Sequence, residues 1–87
     1  MRVTLELTFE MSQALGVRRL ELEDAQTVEA ALQLARASFH EAGADFEKLA
    51  RVVAIAVNGV LLQHRKAPKQ RLADGDRVSF VKAAAGG

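Results

Sequence analysis

The spacing of apolar residues changes twice along this chain, from every second position to every third or fourth and back, and that change bounds the fold class. Val3, Leu5, Leu7 and Phe9 alternate with Arg2, Thr4, Glu6, Thr8 and Glu10. A period of two marks a strand with one face on a core and the other in water. Residues 18–23 alternate again, with Leu20 and Leu22 inward and Glu21 and Glu23 outward. Residues 11–16 break the pattern and end in Gly16, which reads as a connecting turn with some helical twist. The two strands therefore predict an antiparallel hairpin.

From Thr27 the period lengthens. Val28, Ala31, Leu32, Ala35 and Phe39 fall on one stripe of an amphipathic helix. Thr27 suits the N-cap, because its hydroxyl can accept from an otherwise unpaired first-turn amide. Glu29 sits favourably at the positive end of the helix dipole. Gly43 is the expected C-cap, where a positive φ costs glycine little. Burying Val28, Leu32 and Phe39 against a sheet contributes roughly 1.5–3 kcal/mol each before entropy is charged.

The second half returns to strand chemistry. Residues 45–51 fit a short turn of helix packing Phe46 and Leu49 beneath the sheet. Residues 52–57 form a short apolar run, read as a central strand covered at least partly on both faces. Asn58-Gly59 is the strongest short hairpin signal, with Val60, Leu61 and Leu62 returning. Residues 63–71 are polar and basic, contain the only proline, Pro68, and read as a loop. Asp74-Gly75-Asp76 reverses the chain into a last alternating strand, with Val78 and Phe80 on one face and Ser79 and Val81 on the other. A mixed sheet of about five strands with one main helix across it is the α+β solution. It forms one domain over residues 1–82, followed by a flexible tail, residues 83–87, with nothing large enough to pack.

Composition excludes much. The 87 residues carry a formal charge of +1 and no cysteine. Disulfides, thiolate metal sites and cysteine nucleophiles are thereby absent, and no strong field recruits nucleic acid or an anionic membrane. Glu6 and Glu10 interrupt any leader-like stretch, and no apolar run reaches the roughly 20 residues of a membrane span. The expectation is a cytoplasmic protein. His40 and His64, the only histidines, lie on different elements and fall short of a zinc set. Glu6, Glu10, Glu21 and Glu23 read as the solvated faces of strands. The basic stretch His64-Arg65-Lys66 with Lys69 and Arg71 lacks interleaved aromatics for stacking on bases. It reads as a solubilising loop, or as a docking loop for an acidic partner.

Three segments and the terminus carry a resemblance. They are Thr27-Val28-Glu29-Ala30-Ala31-Leu32, Ala56-Val57-Asn58-Gly59, Leu72-Ala73-Asp74-Gly75-Asp76-Arg77-Val78 and the closing Gly86-Gly87. In this order and in so short a chain, the sequence resembles the MoaD/ThiS family of ubiquitin-like, β-grasp sulfur carriers, and more closely its MoaD branch. Two features depart from that branch. Lys82-Ala83-Ala84-Ala85 stands where prolines are usual, and the loop 63–71 is longer.

The resemblance implies a carrier and not an enzyme, with no bound cofactor. An adenylyltransferase of the MoeB/ThiF type would spend ATP to adenylate the Gly87 carboxylate, and a sulfur donor would convert it to a thiocarboxylate. A sulfur-accepting enzyme, such as the large subunit of molybdopterin synthase, would then take the sulfur. Molybdopterin synthesis is the leading pathway. Thiazole, cysteine or tRNA thiolation, or conjugation to proteins through Gly87, are the alternatives. Gly86 permits close backbone approach in a narrow channel, and residues 82–87 extended span roughly 20 Å. Partner contact is expected from Phe80, Leu61, Leu72 and Ala85. Phe80 could equally serve the core, and for Leu72 the core is the favoured reading.

Overall fold

A computed structural model describes residues 1–82, so the expected tail, residues 83–87, lies outside the described residues. The element order is β1 (Arg2–Glu6), α1 (Phe9–Leu15), β2 (Arg19–Glu23), α2 (Val28–Ser38), α3 (Gly43–Ala50), β3 (Val53–Val57), β4 (Val60–Leu61) and β5 (Arg77–Lys82). Short 3₁₀ turns at His40–Ala42 and Ala67–Lys69 complete it. The five strands form one mixed sheet in the order β2-β1-β5-β3-β4. This is the β-grasp arrangement, with the helices packed on one face. No helix among the described residues is long and apolar enough to cross a membrane.

Strands β1 and β2 pair antiparallel, Leu5 opposite Leu20 and Val3 opposite Leu22. The link between them is a helix and not a turn. Thr8 caps it, its hydroxyl accepting from the Met11 amide at 3.1 Å, and Gly16 closes it in the left-handed region at φ 80°. The cap ends the strand alternation early. Met11 therefore enters the core at 1 % exposure, while Phe9, expected inward, stands 76 % exposed.

Helix α2 begins as expected, with Thr27 Oγ1 accepting from the Ala30 amide at 3.1 Å. Val28, Ala31 and Ala35 are fully buried, and Leu32 and Phe39 pack at the rim. Gly43 does not end this helix. Phe39 caps α2, and Gly43 opens α3 at an ordinary φ of −59°. Glycine is needed there for space, because a Cβ would lie 2.8 Å from the Arg36 carbonyl oxygen. Helix α3 drives Phe46 into the core, its ring 5.3 Å from Phe39 and 5.8 Å from Phe80.

The strand entered from α3 does not pair with β1. Strand β3 runs antiparallel to β5, and it is β5 that lies parallel to β1, in the centre of the sheet. The Asn58-Gly59 turn has both residues at positive φ, 50° and 82°, as the tight hairpin requires. Its neighbour in space is the reversal before β5. Asp76 accepts from the Ala73 amide at 2.8 Å and from the Asn58 side chain at 2.9 Å, while Asn58 Oδ1 accepts from the Arg77 amide at 2.9 Å. The backbone bond first, and the Asn58 amide second, hold the Asp76 carboxyl below its ordinary pKa. These bonds lock the register in which β5 enters the sheet.

Candidate functional site

The site is built outward from β5, the strand that precedes the terminal glycines. Its pleat sends Val78 and Phe80 into the core, at 0 % and 5 % exposure, and sends Arg77, Ser79 and Val81 to the open face. Phe80 is thus an anchor beneath the sheet. Two residues later, Lys82 lies opposite Val53 in register and pairs with Glu10 of α1 at 3.1 Å. The sheet pairing holds the root of the terminal segment, and the exposed ion pair adds little to it.

The open face divides along the strands. Register places Arg19, Glu6, Ser79, Ala56 and Leu61 side by side across the whole sheet. The β2-β1 half is charged. Glu6 accepts from the Ser79 hydroxyl at 2.9 Å and lies 3.3 Å from Arg77; Thr4 donates to Glu21 at 2.9 Å; Arg2 pairs with Glu23 at 2.8 Å. The Glu23 hydrogen bond, then its charge, raises the Arg2 guanidinium above its ordinary pKa. All these pairs are solvent-screened and add little stability.

The other half is apolar. Leu61 is 63 % exposed and Val81 41 %, with Ala54 and Ala56 between them in register. Val52, just ahead of β3, is 72 % exposed. Leucine and valine side chains standing in water on one side of a small sheet, next to the strand that leads to the chain end, form a surface suited to contact.

Of the residues singled out from sequence, Leu61 lies on this face. Phe80 and Leu72, at 5 % and 8 % exposure, belong to the core cluster and do not. The parity of the last strand explains the first and would have pointed to Val81 in its place. Ala85, Gly86 and Gly87 lie outside the described residues. Glu10 sits on α1 as the partner of Lys82, not on a strand face. Phe9, read from sequence as core, is an exposed aromatic next to that same ion pair. Thr8 as an N-cap candidate, with Glu10 in the first turn and Gly16 as the stop, was the signal that could have found it.

Residues 8–87 match the model of the ThiS family. No curated protein matches. Among solved structures the chain resembles SAMP1 from Haloferax volcanii, at 20% identity and a TM-score of 0.73, with 100% of both chains covered. It also resembles a molybdopterin converting factor subunit 1 from Pyrococcus furiosus, at 20% identity and TM-score 0.70, covering 97% of this chain and 99% of that one. A third likeness is to a complex of subunits 1 and 2 of molybdopterin-converting factor from Helicobacter pylori, at 23% identity and TM-score 0.61, with 100% of both chains covered. At these identities the structural likeness speaks for the fold alone.

Proposed function

The chain belongs to the ThiS family of small ubiquitin-like carriers, and from that premise we propose that it carries sulfur on the carboxyl group of Gly87. The observation that supports this reading most is positional. The family match runs through Gly86-Gly87, and those glycines follow a central strand anchored by Phe80 and flanked by an exposed apolar face.

The chemistry needs help from outside. A carboxylate ionised at neutral pH, with an ordinary pKa of roughly 3.5, is a poor acyl donor. In the proposed sequence a Gly87 oxygen attacks the α-phosphorus of ATP on an adenylyltransferase of the MoeB/ThiF type, and pyrophosphate leaves. Hydrosulfide then attacks the acyl carbon and AMP departs with the bonding electron pair. The product is a thiocarboxylate, a soft nucleophile for a sulfur-accepting enzyme. The H. pylori neighbour, a complex of subunits 1 and 2 of molybdopterin-converting factor, supports molybdopterin synthesis as the pathway and a large subunit as the acceptor. The chain supplies reach and recognition, and its partners supply catalysis. Leu61, Val81 and Val52 supply the apolar contact, and Phe80 and Leu72 hold the strands that present it.

Intact-mass analysis tests the reading. Full-length chain ending at Gly87 is incubated with the adenylyltransferase encoded in the same genome, ATP and sulfide. The expected product is heavier by one exchange of oxygen for sulfur, confined to the terminal glycine. The variant Leu61→Asp with Val81→Asp should remain folded yet lose most of that conversion. An unchanged mass in the wild type would refute sulfur loading. Adducts on protein lysines that vanish on deleting Gly86 and Gly87 would establish conjugation as the activity in its place.

A further inference from the structure

The loop between β4 and β5 holds a concentration of charge that the carrier chemistry does not use. Residues 63–71 contain Arg65, Lys66, Lys69 and Arg71 and no acidic residue, leaving eight cations against eleven anions in the rest of the chain, a net −3. All four are exposed. None of them forms an ion pair among the described residues, whereas Arg2, Arg36, Arg51, Arg77 and Lys82 all do. With Gln63 and Gln70 they line an open groove of about 730 Å³.

The loop is built, not slack. Lys66 and Ala67 amides both donate to the Gln63 carbonyl, at 3.0 and 2.9 Å, and Gln70 donates to Ala67 at 3.1 Å. Its far end is tied to the start of α2, through Val28 to Gln70 at 3.0 Å and Leu72 to Gln26 at 2.9 Å. Ala67, 4 % exposed, and Leu72 pin it to the body of the domain. The cations are thus presented from a fixed backbone, which lowers the ordering cost of an encounter.

Position gives the loop a purpose. It begins directly after Leu61 and Leu62, and His64 shares a cleft with Val52, Val53, Ala54 and Ile55. That is the end of β3 lying opposite Lys82. The loop therefore starts at the margin of the apolar face and carries its cations on from there, as charge surrounds an interface core.

We infer that the loop 63–71 docks on an acidic surface of the adenylyltransferase and steers the carrier's terminus toward it. This rests on the sulfur-carrier reading for the partner's identity. Nucleic acid fits less well. The loop's four cations can neutralise only a few phosphates, and stacking takes aromatics that this loop lacks. A carrier that must leave one partner for the next gains from charge, because rim charges raise association rate more than they slow release.

The test measures adenylation kinetics by pyrophosphate release, using full-length chain and the adenylyltransferase of the same genome. Wild type is compared with R65Q/K66Q/K69Q/R71Q and with R18Q/R19Q/K48Q, which removes three other cations that lack ion pairs among the described residues. At low salt the loop variant should raise KM for the carrier about tenfold or more with kcat unchanged. The difference should shrink toward none near 0.5 M salt, where screening acts within roughly 4–5 Å. The control variant should change KM less than about twofold. A loop variant with unchanged KM, or a control that shifts it equally, overturns the inference.

Should the wild type not be adenylated at all, the sulfur-carrier reading fails separately. A decaglutamate peptide titrated against the labelled chain then decides the loop's role. Amide shifts confined to residues 64–71, lost in the loop variant, support an acidic protein surface. No shifts, or tighter binding by an RNA duplex of equal charge, overturn it.

Discussion

Replacing Phe80 with alanine separates the strand that carries the terminus from the face that meets partners. Phe80 is 5 % exposed, and its ring lies 5.8 Å from Phe46, which in turn stacks on Phe39. Truncating a buried phenylalanine costs about 3–5 kcal/mol in lost burial and residual cavity. A domain of this length holds in total roughly 4–13 kcal/mol, at 0.05–0.15 kcal/mol per residue. The substitution therefore removes roughly a quarter or more of the stability. Its thermal midpoint should fall by roughly 12–40 °C, at some 4–8 °C per kcal/mol. Val81→Ala, on the next residue, removes two methyl groups from a side chain already 41 % exposed, and should cost under about 1 kcal/mol. Urea unfolding followed by far-UV circular dichroism reads both. Equal costs for the two, or a loss below about 1 kcal/mol for Phe80→Ala, would refute the assigned parity of β5. In that event the apolar face described here would be the wrong one.

Two further outcomes follow from local geometry. Gly43→Ala, at an α-helical φ where alanine would ordinarily gain about 1 kcal/mol, should instead destabilise by roughly 1–3 kcal/mol, because the new Cβ meets the Arg36 carbonyl at 2.8 Å; a thermal melt above that of the wild type would contradict it. Asp76→Asn should lower the melting point at pH 7 by roughly 5 °C through a lost acceptor. Because the folded carboxyl has a depressed pKa, its contribution is present above the unfolded value and disappears as pH falls through the folded one. Wild type and variant should therefore converge as melts are taken at progressively more acidic pH, and a gap that persists once the carboxyl is protonated would show that Asp76 acts without its charge.

Much of this fold could be read from spacing, and the failures share a cause. Strand β1, helix α2, the Asn58-Gly59 hairpin and strand β5 each carry a local signal with a physical mechanism, and each stands where its signal lies. Phe9 failed because a period of two continued by chance across a helix start. Val3 and Leu5 are inward, but the Thr8 hydroxyl claims the Met11 amide and turns the chain before Phe9 can follow. Gly43 failed because glycine answers two needs that sequence does not distinguish, a left-handed backbone and a lack of room. Here the need is room, set by Arg36 seven positions earlier. The pairing of β5 beside β1 is non-local and no residue pattern announces it.

The functional face was harder to read for a related reason. An aromatic near the terminus attracts an interface assignment, yet a core this small has few large side chains to close it. Phe46, Phe39 and Phe80 meet in one contiguous cluster, so Phe80 is consumed by packing. What remains for partners is what the core did not need. On the open face those are Leu61, already expected to meet a partner, and Val81, which the alternation of the last strand sets opposite Phe80. In a domain near the lower size limit for unaided folding, the interface is assembled from small apolar residues on the solvent side of strands whose other side is fully engaged. The side chain to test for docking is therefore the neighbour of the conspicuous one: Val81 rather than Phe80.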